Sequence, residues 1–172
     1  STTKFVFKKN ILIDNKNFKH NEKSKFELKN IKLNFKQGEH LGIIGKSGSG
    51  KSSIVDIITG VLKSNDTNIM VDNKSIYHNL KGWQKLIGYV PQKVLIVNDT
   101  FKNNILYGLD EDKFSDTAII ELIKKMSLET LLNRLPNGLE SELDERGLNL
   151  SVGEIQRIGI CRALIYNPSI LF

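Results

Sequence analysis

An α/β fold is what this sequence predicts, and three observations carry that expectation. A glycine-rich loop, Gly45-Lys46-Ser47-Gly48-Ser49-Gly50-Lys51-Ser52, stands between a short apolar stretch with strand character and a longer one with helical character. Ahead of it, apolar residues alternate with polar ones as in half-buried strands, and behind it they recur at helical spacing. At 172 residues and 40% hydrophobic content, the chain is long enough to bury one sizeable core.

Ser1 to Lys9 reads as a lead-in, after which Ile11, Ile13 and Phe18 alternate with polar neighbours. Phe26 to Leu28 and Ile31 to Phe35 read as a second pair of short strands, and Gln37-Gly38 as the turn into a buried strand over His40 to Ile44. Ser52 to Ile58 has the apolar content of a helix, which Gly60 would cap at its C-terminus. Asn65 to Tyr77 reads as turns and short strands, and Leu86 to Val90 as an apolar strand closed by Pro91. From Asp99 to Arg134 the pattern is helical: Ala118, Ile119, Leu122, Ile123 and Met126 form a core stripe behind Ser115 or Asp116 as cap. Leu135-Pro136-Asn137-Gly138 breaks that region. Ser151-Val152-Gly153-Glu154 has the S-x-x-E form of a capping box, opening a helix that ends at Asn167-Pro168, and Ile170-Leu171-Phe172 begins a further buried strand.

The loop between the strand and the helix has a specific chemistry. Glycines at Gly45, Gly48 and Gly50 let the backbone approach a phosphate closely, so that the N–H groups of Lys46, Ser47, Ser49 and Ser53 and the helix N-terminus can cradle it. Lys51 would reach the β and γ phosphates of a nucleotide, and Ser52 would offer its hydroxyl to Mg²⁺, a hard cation that prefers oxygen ligands.

Bulk composition narrows the class further. No apolar run approaches the ~20 residues that span a bilayer, and no stretch near Ser1 resembles a signal peptide, so a soluble chain is expected. A single cysteine, Cys161, cannot form an internal disulfide and reads as a small core residue. Net charge is +6, all of it from residues 1 to 40, where ten lysines face Asp14, Glu22, Glu27 and Glu39. A solvated face is the plain reading of those lysines; an anionic membrane surface or a nucleic acid are the alternatives.

Three motifs in register carry a family resemblance. The Gly45 to Ser52 loop, Gly88-Tyr89-Val90-Pro91-Gln92 and Leu150-Ser151-Val152-Gly153-Glu154 resemble the Walker A motif, Q-loop and signature motif of the ATP-binding domain of an ABC transporter, over nearly the whole chain from Ile11. The resemblance implies a P-loop (RecA-like) ATPase core with an antiparallel β subdomain and an α-helical subdomain at about residues 95–165, C-terminally incomplete. It implies ATP and Mg²⁺ as cofactors. Gln92 would reach Mg²⁺ and the attacking water, making Lys51 and Gln92 the catalytic candidates and Ser52 and Gln92 the metal ligands. Ser151 and Gly153 would meet the γ-phosphate held by a second copy, with Glu154 beside them in that nucleotide site, because the family closes head-to-tail around two nucleotides. An adenine-stacking aromatic in exporter-type members falls, by register, on His20, with Phe18, which reads as a core strand residue, as the competing candidate.

Further segments point to a subfamily. Leu135-Pro136-Asn137-Gly138 followed by Glu145-Arg146-Gly147 resembles the exporter segment that touches the membrane domains. Asn98 to Ile105 and Ile158 to Tyr166 look most similar to flippases of lipid-linked oligosaccharides and polysaccharides. The partners implied are a second ATP-binding domain and the transmembrane domains of a transporter, in the same chain or another, at the cytoplasmic face of the inner membrane; no nucleic acid is expected. The alternatives are a soluble ABC ATPase acting on nucleic acid or ribosomes, and a non-hydrolysing ATP-binding fragment.

The sequence departs from the family pattern at several points. Val152 stands where glycine is usual, Glu154 where glutamine is usual, and Asp144 where glycine is usual. The aspartate that orients Mg²⁺ and the glutamate that activates water would follow Phe172, where the sequence stops. The expectation is therefore a fragment of a longer polypeptide that binds ATP better than it hydrolyses it, since phosphoryl transfer needs positioned water and charge stabilisation as well as a bound nucleotide.

Overall fold

Strict alternation in the first strand builds a β layer. The computed structural model describes residues 5–19, 27–63, 66–144 and 150–172. β1 (Asn10–Phe18) buries Ile11, Ile13, Asn15 and Phe18 and turns Leu12, Asp14 and Lys16 outward. It pairs antiparallel with β2 (Leu28–Lys36) on one side. After the helix α1 (Lys51–Ile58), β3 (Thr67–Val71) pairs antiparallel with β1 on the other side, and β4 (Lys74–Ser75) completes the order β2-β1-β3-β4. Asn15, buried between the neighbours, donates its amide to the Leu28 carbonyl and accepts from the Thr67 hydroxyl, so its polarity is satisfied where it sits.

Two expectations about strands are corrected here. The segments expected as separate strands around Phe26 to Leu28 and Ile31 to Phe35 are one strand from Leu28 to Lys36; Phe26 lies outside the described residues. Asn30 takes a left-handed φ of 51° and so breaks the local pattern, yet the pairing register with β1 is the same on both sides of it. His40 to Ile44 forms no strand, and Leu41 and Ile44 are 54% and 98% exposed. A strand is stabilised by the ladder it shares with a neighbour, and among the described residues no strand pairs with this segment.

Asp72 ties the lead-in to this sheet. At φ 48° its carboxylate accepts from the backbone N–H groups of Lys8, Lys9 and Asn10 at 2.6, 2.8 and 3.0 Å. Burial pushes its pKa up, but those three bonds and the nearby Lys9 charge outweigh it and hold the group below its ordinary 3.8. A depressed carboxylate stabilises the fold above its unfolded pKa and loses that contribution as pH falls through the folded value. Asp72→Asn is therefore expected to cost about 1 kcal/mol at neutral pH in urea denaturation. That difference should close as pH drops below 3.8; a gap that stays constant with pH would count against the charge-assisted bonds.

The loop-bearing helix is held at its far end. Gly60, at φ 75°, ends α1 as the sequence implied, its N–H bonding the Ile57 carbonyl. α2 (Leu80–Gln84) supplies Trp83, whose indole donates to the Ile58 carbonyl at 2.9 Å, and Gln84, which donates to the Thr59 carbonyl. These bonds occupy carbonyls that the helix C-terminus leaves without a partner. Trp83 is fully buried and meets Phe5 edge-on, ring centroids 6.1 Å apart.

The chain divides into two compact units, Ser1–Ile87 and Gly88–Phe172. At the start of the second, β5 (Ile87–Gly88) is shorter than the five residues expected. Next come β6 (Asp99–Thr100), α3 (Phe101–Ile105), α4 (Asp116–Lys125) and α5 (Glu129–Arg134). β7 (Glu142–Leu143), α6 (Val152–Leu164) and β8 (Ile170–Leu171) complete the chain. Phe101, Ile105, Ile119, Ile123, Leu128, Leu131, Ile158 and Cys161 form one core cluster. Burial pushes the Cys161 thiol up to about 12, the behaviour of an inert core residue. Ser115, not Asp116, caps α4 by accepting the Ala118 N–H, and Ala118 itself is exposed rather than part of the stripe. β6 and β7 pair antiparallel. Phe172 donates to the Gly88 carbonyl and accepts from the Val90 N–H, the alternation a parallel neighbour makes. No helix among the described residues is long and apolar enough to cross a membrane.

Candidate functional site

Glycine geometry shapes the Gly45 to Ser52 loop. Gly48 and Gly50 have φ of 76° and 94°, a region that side chains other than glycine's rarely adopt. A Cβ on Gly45 would come within 2.6 Å of the Ser49 Oγ. Ser49 N–H bonds the Lys46 carbonyl, closing a tight turn, and Gly50 caps α1 with no side chain in the way. The first bond of the helix ladder runs from Ile54 N–H to Gly50 C=O, so the Lys51 and Ser52 N–H groups precede the ladder and face the loop end. Lys51 Nζ donates to the carbonyls of Gly45 and Lys46, both at 2.9 Å, and so arches over the turn. The first turn of α1 has no acidic residue to compete with an anion. Ser52 is exposed; Ser53 is buried, so what it can present to a phosphate is its backbone N–H.

Ser151 opens α6 as a reciprocal cap. Its hydroxyl accepts from the Glu154 N–H at 3.2 Å, and the Glu154 carboxylate accepts from the Ser151 N–H at 2.7 Å. This is the capping box that the S-x-x-E pattern implied. Gly153 is exposed with nothing within 4 Å of a Cβ, and Val152 is 74% exposed, so the face beside the cap is open. The sequence reading missed the third member of this group. Arg134, at the end of α5, donates to the Glu154 carboxylate at 3.1 and 3.4 Å. Burial pushes Glu154 up, but the Ser151 bonds and the Arg134 charge outweigh it and keep the carboxyl below its ordinary 4.5. No periodicity links positions 134 and 154, so nothing in the sequence could have found that pair.

Gln92 is exposed on the segment that follows β5. The chain beyond it is fastened from two sides. Gly159 on α6 lets Val94 come close: a Cβ there would lie 2.4 Å from Val94 Cγ2. Arg162, one turn on, donates to the Leu95 carbonyl at 2.6 Å and to the carbonyl and side-chain oxygens of Asn104, with its guanidinium 5.2 Å from the Tyr107 ring centroid. Asn104 is fully buried and donates to the Val97, Asp99 and Thr100 carbonyls while accepting from the Val97 N–H. Asn104 and Arg162 therefore serve packing within this unit.

The loop belongs to the first unit, and Gln92, Ser151, Gly153 and Glu154 to the second. His20 and Glu145-Arg146-Gly147 lie outside the described residues. Among the described residues no group of three or more His, Cys, Asp or Glu could hold a metal ion. A divalent cation would here need the phosphates of a nucleotide as its main ligands, with Ser52 as a protein oxygen, which is how Mg²⁺ is commonly held.

Comparisons with known proteins show the family. The family model described as ABC transporter matches residues 28–172. A Rickettsia typhi protein whose name assigns it, provisionally, to export ATP-binding/permease proteins is 35% identical over 159 residues, 91% of this chain and 27% of that protein. An uncharacterised ABC transporter ATP-binding protein of Bacillus subtilis is 36% identical over 155 residues, 90% of this chain and 27% of its own length. Among solved structures, a bacterial Atm1-family ABC exporter with ATP bound superposes with a TM-score of 0.85 at 32% identity, covering 97% of this chain and 29% of that one. The chain thus spans about a quarter of the length of the curated relatives it matches.

Proposed function

This chain belongs to the ABC transporter family as an ATP-binding domain, and we propose that it binds MgATP at the Gly45 to Ser52 loop, closes head-to-tail on a second copy through Ser151 and Gly153, and so powers export by membrane-spanning partner domains at the cytoplasmic face. The observation that carries this reading is the loop itself. Lys51 Nζ is held on two loop carbonyls in front of a helix whose cap is a left-handed glycine. A β/γ-phosphate entering there replaces weak carbonyl acceptors with a charged one, gains the Lys51 and Ser52 N–H groups, and meets the positive end of α1. Ser52 would hold Mg²⁺, which would offset phosphate charge, and Gln92 would reach the cation and the attacking water. By the resemblance His20, outside the described residues, would stack on adenine, and Ser53 would complete the phosphate site.

The two segments similar to lipid-linked glycan flippases are tied to each other through Arg162 and Asn104. That likeness is one of internal packing and carries no information on substrate; a lipid-linked glycan as the first substrate to try rests on the resemblance alone.

ATP-dependent association is the direct test. In sedimentation velocity, the chain with MgATP is expected to shift from monomer to dimer, and Ser151→Ala to weaken that association by about tenfold, because it removes a hydroxyl from a phosphate contact worth roughly one charge-assisted hydrogen bond. A chain that stays monomeric at saturating ATP would overturn the pairing. Salt-sensitive binding to nucleic acid in place of pairing would favour a soluble ATPase acting there.

A further inference from the structure

The α6 N-terminus carries a carboxylate beside the very place where the proposed pairing needs a phosphate. Glu154 sits in the first turn, its oxygens on the Ser151 N–H at 2.7 Å and on Arg134 at 3.1 and 3.4 Å. A helix N-terminus attracts an anion through its N–H groups and partial charge, and a fixed carboxylate one turn in works against that attraction. We propose that Arg134 is a positioning residue for nucleotide-dependent pairing: it neutralises Glu154 and holds its carboxylate on the Ser151 N–H, leaving the Ser151 hydroxyl and the Gly153 face to accept the γ-phosphate of a nucleotide bound to a second copy. This inference rests on the pairing reading above and deepens it.

Three features of the geometry support the assignment. Arg134 reaches Glu154 from another helix, α5, across 20 residues of sequence, so the pair is tertiary and not an incidental neighbour along one helix. The Glu154 side chain is 16% exposed, which makes its partner hard for water to replace. The face an incoming phosphate would use is open, since Gly153 has nothing within 4 Å and Val152 points to solvent. The arrangement lets a glutamate serve as the capping residue without repelling the ligand. It predicts that the charge of residue 134 matters, rather than its hydrogen-bonding shape.

The test is association of the chain with MgATP, read by sedimentation velocity alongside circular dichroism to verify folding. Arg134→Met is expected to weaken association by about tenfold through the uncovered carboxylate. Arg134→Lys, which keeps the charge and replaces the planar guanidinium with a compact ammonium, should stay within about twofold of the parent. Adding Glu154→Gln to Arg134→Met should restore association, because the amide keeps the cap acceptor and carries no charge. A purely structural role predicts that Lys fails like Met, since the reach of the guanidinium Nη2 to both Glu154 oxygens is lost in both. Association unchanged in Arg134→Met, or not restored by Glu154→Gln, would overturn this inference while leaving the pairing reading intact; an unsubstituted chain that does not pair would overturn both.

Discussion

Lys51→Ala is expected to lower ATP affinity by about one to two orders of magnitude, the equivalent of one charge-assisted bond of roughly 1.5–3 kcal/mol. The structure explains why the loss should fall on binding and not on the fold. Among the described residues Lys51 Nζ bonds the carbonyls of Gly45 and Lys46, in a loop whose residues 45–49 are exposed, so water can take over both acceptors when the side chain is removed. The turn itself is closed by the Ser49 to Lys46 bond and by the φ of Gly48 and Gly50, none of which uses Lys51. Melting temperature should therefore move little while nucleotide affinity collapses. Lys51→Arg keeps the charge but should restore affinity only in part, since a planar fork does not fit the arch that a compact ammonium makes over the turn. Isothermal titration with MgATP reads both variants; an affinity unchanged in a folded Lys51→Ala chain would refute the role assigned to it.

Trp83→Ala is expected to be the largest stability change, about 3–5 kcal/mol, with the melting temperature falling by more than about 10 °C. Two losses combine. The indole fills a fully buried position against Phe5, and its N–H satisfies the Ile58 carbonyl at the C-terminal end of the helix that starts with Lys51. Removing it leaves a cavity and an unpaired carbonyl at one end of α1. Trp83→Phe separates the two: it keeps most of the ring and should cost about 1–2 kcal/mol for the lost bond. A Trp83→Ala chain melting within about 2 °C of the parent would remove Trp83 from the core of this unit.

The parts legible in the sequence are those whose physics is local. A glycine needed at positive φ announces itself, as Gly48, Gly50 and Gly60 do. So does a serine three residues ahead of a glutamate, because the cap at Ser151 closes within one turn. Alternation in β1 is local in the same sense, and it placed Ile11, Ile13 and Phe18 in the core. His40 to Ile44 shows the limit: an apolar run states a preference for burial, but a strand exists only where a neighbour takes its hydrogen bonds. Asn30 shows the converse, a residue that looks like a break and does not interrupt the register.

From the sequence alone came the glycine-rich turn from Gly45 to Ser52, the capped helix behind Ser151 and the α/β character, since each depends on residues within about one turn of one another. Only the tertiary structure decided that Arg134 covers Glu154, that Arg162 fastens the segment after Gln92, and that Asp72 gathers the backbone N–H groups of Lys8, Lys9 and Asn10. Those contacts join residues 20 to 67 positions apart, and electrostatic and hydrogen-bond partners at such separations leave no period in the sequence to read.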